Sequence, residues 1–140
     1  MANYYSMCRT NYFSVTDTDR LEKIINSCIA ESEVKLFKND KEDKYGFYCY
    51  CNLIGLREKD KDTEEGIDEY DNLLNELQKI LPSEEAIMIM AIGNEKMRYL
   101  TATYQIITKD EIRTVDFREI GLEVVRDMLN NPEFETQTVY

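Results

Sequence analysis

Residues 86–92 read A-I-M-I-M-A-I, seven consecutive apolar side chains followed directly by Gly93. Such a run is too short to cross a bilayer or to make a buried helix of ordinary length, so it reads as a strand in the interior of a sheet. Gly93-Asn94-Glu95-Lys96 then supplies a turn, and residues 97–108 return as a long strand. In that return Leu100, Ala102, Tyr104 and Ile106 share one face and Thr101, Thr103 and Gln105 the other, a pattern that leaves one face for solvent. The remaining elements have to cover this hairpin.

Residues 8–15 (C-R-T-N-Y-F-S-V) form a first strand. Thr16 is placed to cap a helix with Asp19 at its third position, and Leu21, Ile24, Ile25, Cys28 and Ile29 follow at offsets 0, 3, 4, 7 and 8. Residues 33–38 and 45–54 are apolar-rich strands separated by the charged loop 39–44. In the longer of them Tyr45, Phe47, Cys49, Cys51 and Leu53 lie on one face and Tyr48, Tyr50 and Ile54 on the other, so it is expected inside a sheet with both faces covered. Tyr70, Leu73, Leu74, Leu77 and Leu81 recur at helical spacing until Pro82 stops them. Residues 111–115 make a short strand. Asp116 and Glu119 then open a third helix carrying Phe117, Ile120, Val124, Val125 and Met128, which Asn130-Asn131-Pro132 ends.

The resulting order, β-α-β-β-α-β-β-β-α, is that of an α+β fold: three helices on a mostly antiparallel sheet, whose first six elements follow the split β-α-β order of ferredoxin-like cores. With no repeat or Pro/Gly-rich linker, residues 1–140 read as one domain. The expected core comprises Leu21, Ile24, Ile25, Phe47, Leu73, Leu77, Ile87, Ile89, Tyr104, Val124 and Met128.

Composition narrows function. The chain has no histidine, which removes the usual neutral-pH base and every imidazole metal ligand. Its 28 acids against 17 basic residues give −11, a charge that repels phosphate backbones and anionic lipid, and the basic residues are scattered. Direct nucleic-acid or membrane binding is therefore not expected. Without a leader-like or membrane-spanning run the chain reads as cytoplasmic. Cys8, Cys28, Cys49 and Cys51 are then expected as reduced thiols, and they lack the paired C-x-x-C spacing of a zinc site. Isolated glycines exclude a P-loop or dinucleotide fingerprint, so no cofactor and no metal is expected. Tyr48, Tyr50, Tyr99, Tyr104 and Phe47 could in principle stack bases, but such platforms sit in positive grooves, and packing is the better reading.

The candidate site is residues 58–71. Glu58, Asp60, Asp62, Glu64, Glu65, Asp68, Glu69 and Asp71 stand there against Lys59 and Lys61, −6 in fourteen residues. A calcium loop does not fit: counted from Asp60, Gly66 falls at position 7 rather than 6, and position 12 is Asp71 rather than Glu. A long charged stretch inside a small domain is either a solvated insert or a contact surface.

Two stretches, Arg9-Thr10-Asn11-Tyr12-Phe13-Ser14-Val15 and Gly93-Asn94-Glu95-Lys96-Met97-Arg98-Tyr99-Leu100, resemble segments of small acidic proteins encoded by phages, prophages and plasmids of gut bacteria. The resemblance implies a mobile-element accessory role, of which inhibition of a host defence nuclease is one kind. Together with the charge, it leads to the expectation of a non-enzymatic protein that inhibits or modulates a basic, nucleic-acid-handling partner, in the manner of anti-CRISPR or anti-restriction proteins. Such a protein meets with carboxylates the Lys and Arg that otherwise meet phosphate. A homo-oligomer is compatible with this. The alternative is a small-molecule-binding or catalytic α+β domain using carboxylates such as Glu95, which a deep apolar pocket holding a strongly shifted acid would favour.

Overall fold

The computed structural model of the chain describes residues 4–56, 69–95 and 98–136. In chain order the elements are β1 (Tyr4–Thr10), α1 (Thr18–Asn26), β2 (Cys28–Ala30), β3 (Lys35–Asn39), β4 (Lys44–Tyr50), β5 (Leu53–Leu56), α2 (Glu69–Lys79), β6 (Ala86–Glu95), β7 (Arg98–Thr108), β8 (Ile112–Asp116) and α3 (Phe117–Leu129). Six strands form one sheet in the order β3-β4-β1-β6-β7-β8, and β2 and β5 form a separate two-stranded ribbon. Every described strand pairing is antiparallel. The α+β class, the three helices and the antiparallel sheet are as the sequence led us to expect.

The order β3-β4-β1-β6 is the split β-α-β arrangement. β1 sits between β4 and β6, so the connection through α1 to β3 steps over β4, and the connection through α2 to β6 steps over β1. Both helices pack on the same face of the sheet. Leu21, Ile24 and Ile25 of α1 and Leu73, Leu74 and Leu77 of α2 bury against Phe47, Ile87, Ile89 and Ile107. The seven-residue apolar run is the inner strand β6, paired with β1 on one side and β7 on the other.

Side chains take over where the β1 ladder stops. β1 spans residues 4–10 rather than the expected 8–15, because at Asn11 a carboxamide replaces the backbone: its Nδ2 donates to Ala86 O at 3.0 Å and its Oδ1 accepts from Met88 N at 2.8 Å. The buried Thr10 hydroxyl likewise accepts from Phe47 N at 3.0 Å. Phe13 then rejoins the sheet through a paired bridge to Tyr45 alone.

Four further boundaries differ from the sequence reading. Asp17, not Thr16, caps α1, accepting from Arg20 N at 3.0 Å. That helix ends at Asn26, so Cys28 and Ile29, which extend its apolar stripe in sequence, belong to β2. The 45–54 run is two strands, broken where Cys51 takes a left-handed φ of 69° and gives its N–H to Ser6 O at 2.8 Å. The chain then leaves the main sheet and pairs with β2 through β5. Gly55 is required there: its φ is 142°, and a Cβ at that position would stand 2.3 Å from the Glu69 carbonyl. Gly93 and Asn94, expected in a turn, are strand residues of β6.

The expected core holds for Leu21, Ile24, Ile25, Phe47, Leu73, Leu77, Ile87 and Ile89 and fails for Tyr104, Val124 and Met128, which are exposed. The reason is positional. Tyr104 points to the sheet face opposite α1 and α2, and the only buried α3 side chain among the described residues is Leu122, which lies outside the main core. The expectation that the long strand is covered on both faces fails for the same reason, since Tyr50 is exposed on the face away from the helices.

Two stability measurements follow. Ile89→Ala removes a fully buried side chain from an inner strand and costs about 2–5 kcal/mol in urea unfolding. The Glu85 carboxylate joins the 14–16 segment to the start of β6, accepting from Ser14 N at 2.8 Å, Ser14 Oγ at 2.9 Å and Ala86 N at 3.1 Å. Burial opposes its ionisation, but these donors and nearby Lys44 outweigh burial and hold its pKa below the ordinary 4.5. A depressed carboxylate stabilises fully above its unfolded pKa, and that stabilisation is lost as pH falls through the lower folded value. Glu85→Gln therefore lowers stability at pH 7 and flattens the loss of stability that the parent protein shows below about pH 4.5, read from urea midpoints across a pH series.

Candidate interaction surfaces

Of the eight acids singled out in sequence, Glu58, Asp60, Asp62, Glu64, Glu65 and Asp68 lie outside the described residues. Glu69 and Asp71 lie in the first turn of α2, where negative charge meets the positive end of the helix dipole. The same helix carries Glu76, which pairs with Arg20 of α1 and with Lys79 at 2.9 Å each. Asp19 and Glu22 of α1 are exposed nearby in the helical layer. Part of the chain's surplus charge is thus presented by the two helices that cover one side of the sheet.

The other side of the sheet is different in kind. Strand register aligns Lys35, Tyr48, Arg9, Met90, Tyr104 and Val115 in one row across all six strands. The next row is Tyr50, Met7, Ile92 and Ala102. Among the described strand residues pointing this way there is no Asp or Glu, although the chain has 28. At the β3–β4 end the rings form a ladder, with Tyr12 edge-on to Phe37 at 5.3 Å, Phe37 to Tyr48 at 5.9 Å and Tyr48 to Tyr50 at 6.2 Å. The Arg9 guanidinium lies 5.0 Å from the Phe37 ring centre and 5.9 Å from that of Tyr48. The aromatic set named from sequence is therefore divided: Tyr48, Tyr50 and Tyr104 share this face, Phe47 is buried on the opposite one, and the side chain of Tyr99 lies outside the described residues. Arg9, Phe37 and Tyr12 complete the ladder and were not singled out, because the pairings of β4 with β1 and with β3 bring them together.

α3 packs on β7 and β8, and its first turn walls a cavity of about 510 Å³ with Met7, Tyr50, Ile92, Leu100 and Ala102. A second cavity, about 350 Å³, is lined by Cys8, Cys51, Leu53, Tyr70, Ala91 and Thr103, among others. Among the described residues the carboxylates with displaced pKa values are Glu76 and Glu85, both displaced downward, and neither lines either of these two cavities. A general acid or base needs displacement toward neutrality instead. Glu95 ends β6, and its side chain lies outside the described residues.

The four cysteines are free thiols. Cys8 and Cys49 face each other across the β1–β4 pair, both buried, and Cys28 lies against the same core. Burial pushes the Cys28 thiol up to about 12, assisted by the neighbouring Cys49. The Cys8 thiol is also pushed up, by its hydrogen bond to Cys49 and by burial, and burial raises Tyr70 beside them. Among the described residues no three Cys, Asp or Glu side chains form a metal-binding group. No described helix is long and apolar enough to cross a membrane.

A thiol-labelling experiment reads this arrangement. With excess alkylating reagent at pH 7.5, the half-buried Cys51 is modified first, Cys28, half-buried but with its thiol pushed up to about 12, follows more slowly, Cys8 and Cys49 react at the rate of unfolding, and all four react together in urea. Fast native labelling of Cys8 or Cys49 would contradict their placement. Comparison with protein-family profiles, curated proteins and solved structures gives no match for this chain.

Proposed function

We propose that the protein is a non-enzymatic interaction protein that uses an acidic surface to inhibit or modulate a basic, nucleic-acid-handling partner in the cytoplasm. The observation that carries this reading is the distribution of charge: in a chain of −11, the described strand residues of one sheet face carry no carboxylate, whereas α1 and α2 on the other face carry Asp19, Glu22, Glu69, Asp71 and Glu76 against Arg20, Lys23 and Lys79. In sequence, residues 58–71, which run into the start of α2, carry −6. Carboxylates gathered on one side of a domain complement a phosphate-binding surface and accelerate encounter with it at low salt. The absence of histidine and of any upward-shifted carboxylate among the described residues supports binding over catalysis.

The test is capture from nuclease-treated bacterial lysate, followed by association kinetics across a salt series with the partner recovered. The parent chain retains a basic nucleic-acid-handling protein, and raising the salt slows its association, because exposed charges are screened over about 8–10 Å at ordinary ionic strength. Reversing Glu64, Glu65 and Asp68 to Lys leaves the melting temperature nearly unchanged and slows association severalfold at low salt. Equal association rates for the two proteins would reduce the acidic stretch to a solubilising segment and overturn the reading.

A further inference from the structure

At the β3–β4 end of the open face the aromatic ladder surrounds two cations that no described carboxylate neutralises. Of the arginines whose side chains are described, Arg20, Arg113 and Arg126 pair with carboxylates and Arg118 donates to the Thr136 carbonyl. Arg9 has neither an ion pair nor a hydrogen bond among the described residues, and its guanidinium lies over the Phe37 and Tyr48 rings instead. Lys35 stands on the far side of Tyr48 in the same row, exposed and without an ion-pair partner among the described residues. Glu33, two residues before it, is exposed and pairs with neither cation. The ladder ends in rings that water reaches, Tyr12 at 44% and Tyr50 at 63% exposure.

We infer that this corner of the sheet binds single-stranded nucleic acid, with bases stacking on Tyr12, Tyr48 and Tyr50 and phosphates meeting Arg9 and Lys35. Every base has a face that stacks on an exposed ring, and unpaired cations between the rings hold the backbone that links successive bases. The rungs follow one another in steps of 5.3, 5.9 and 6.2 Å, so no single base reaches them all, whereas successive bases of an extended strand do. A duplex keeps its base faces inside its own stack. An acidic peptide satisfies the two cations but leaves the ring faces unused.

The net charge of −11 opposes nucleic acid as a property of the whole surface, and the fold separates that charge from this corner. The acids of α1 and α2 lie across the sheet, on a helical layer about 10 Å thick. Glu119, Glu123 and Asp127 belong to α3, which packs on β7 and β8, and β1 and β7 are two strand spacings, about 10 Å, apart. Each separation equals or exceeds the screening length of about 8–10 Å at ordinary ionic strength, while Arg9 and Lys35 touch the strand directly.

The probe is a fluorescein-labelled oligo-dT strand of about 12 nucleotides, followed by anisotropy, with a duplex of the same length, free dTMP and oligo-glutamate as competitors. The parent chain binds the strand with a micromolar dissociation constant at low salt, and all three competitors displace it poorly. Tyr50→Ala weakens binding at least about fivefold, the loss of one stacked base, with an unchanged salt dependence. Arg9→Gln also weakens it and makes the slope of log affinity against log salt shallower by about 0.7, the share of one phosphate contact on a single strand. Both side chains are exposed, and both variants keep the parent melting temperature. An anisotropy unchanged up to about 100 µM parent chain would overturn the proposal. So would variants that bind like the parent, or a duplex or oligo-glutamate that competes as well as unlabelled strand. Equal competition by dTMP would overturn the assignment to a strand. None of these results touches the acidic-surface reading, whose measurement is association with a basic protein partner.

Discussion

β1 is hydrogen-bonded on both edges, and the rest of the fold follows from that. Cys8 is opposite Cys49 on one side and Ala91 on the other, which obliges each helical connection to step across a strand. Crossovers of one hand place α1 and α2 on the same side of the sheet. The core is accordingly single-layered, and the reverse face is left to whatever β7, β8 and α3 can cover. α3 reaches only the far strands. The uncovered rows around Met7, Tyr50 and Ile92 are a consequence of topology rather than of poor packing.

That asymmetry organises the chemistry. The helix-covered side has a dense apolar interior, against which burial drives the Cys28 thiol toward protonation, and an outer surface with several acids. The open side is aromatic and aliphatic with isolated cations such as Arg9, Lys35 and Arg113.

Sequence periodicity revealed the elements more reliably than their ends or their exposure. The stripes of α1 and α2 and the run at 86–92 were legible because each is bounded by an unambiguous signal, an Asp or Thr at the start, Pro82 at a stop, Gly93 at the end of the apolar run. β2 was not, since Cys28 and Ile29 continue the helical offsets and nothing in their residue types marks the change at Asn26. The break at Cys51 was hidden because an alternating pattern persists through a residue whose backbone alone departs from strand geometry. α3 shows the deepest ambiguity. An apolar helix stripe records that a surface avoids water, and it does not say whether the same chain or another one provides the shelter. Of the acids marked as a site, Glu69 and Asp71 lie among the described residues, and the open face was legible only as one solvent face of the 97–108 return, because its full width arises from the long-range pairing of β1 with β4 and β6.

Asp116 is the last residue of β8, opposite Thr103, and also the cap of α3, whose first N–H groups it meets at Arg118 N, 2.8 Å away. Strand and helix are joined without a linker, so the rotational phase of the helix is inherited from the pleat of the strand. Inserting or deleting one residue at this junction turns α3 by about 100° about its axis. Such a change leaves the main core untouched, because that core does not include α3. Evolution can therefore re-aim the outer edge of this domain in single steps, trading an apolar ridge for the charged flank of Glu119, Glu123 and Asp127 without refolding anything beneath it.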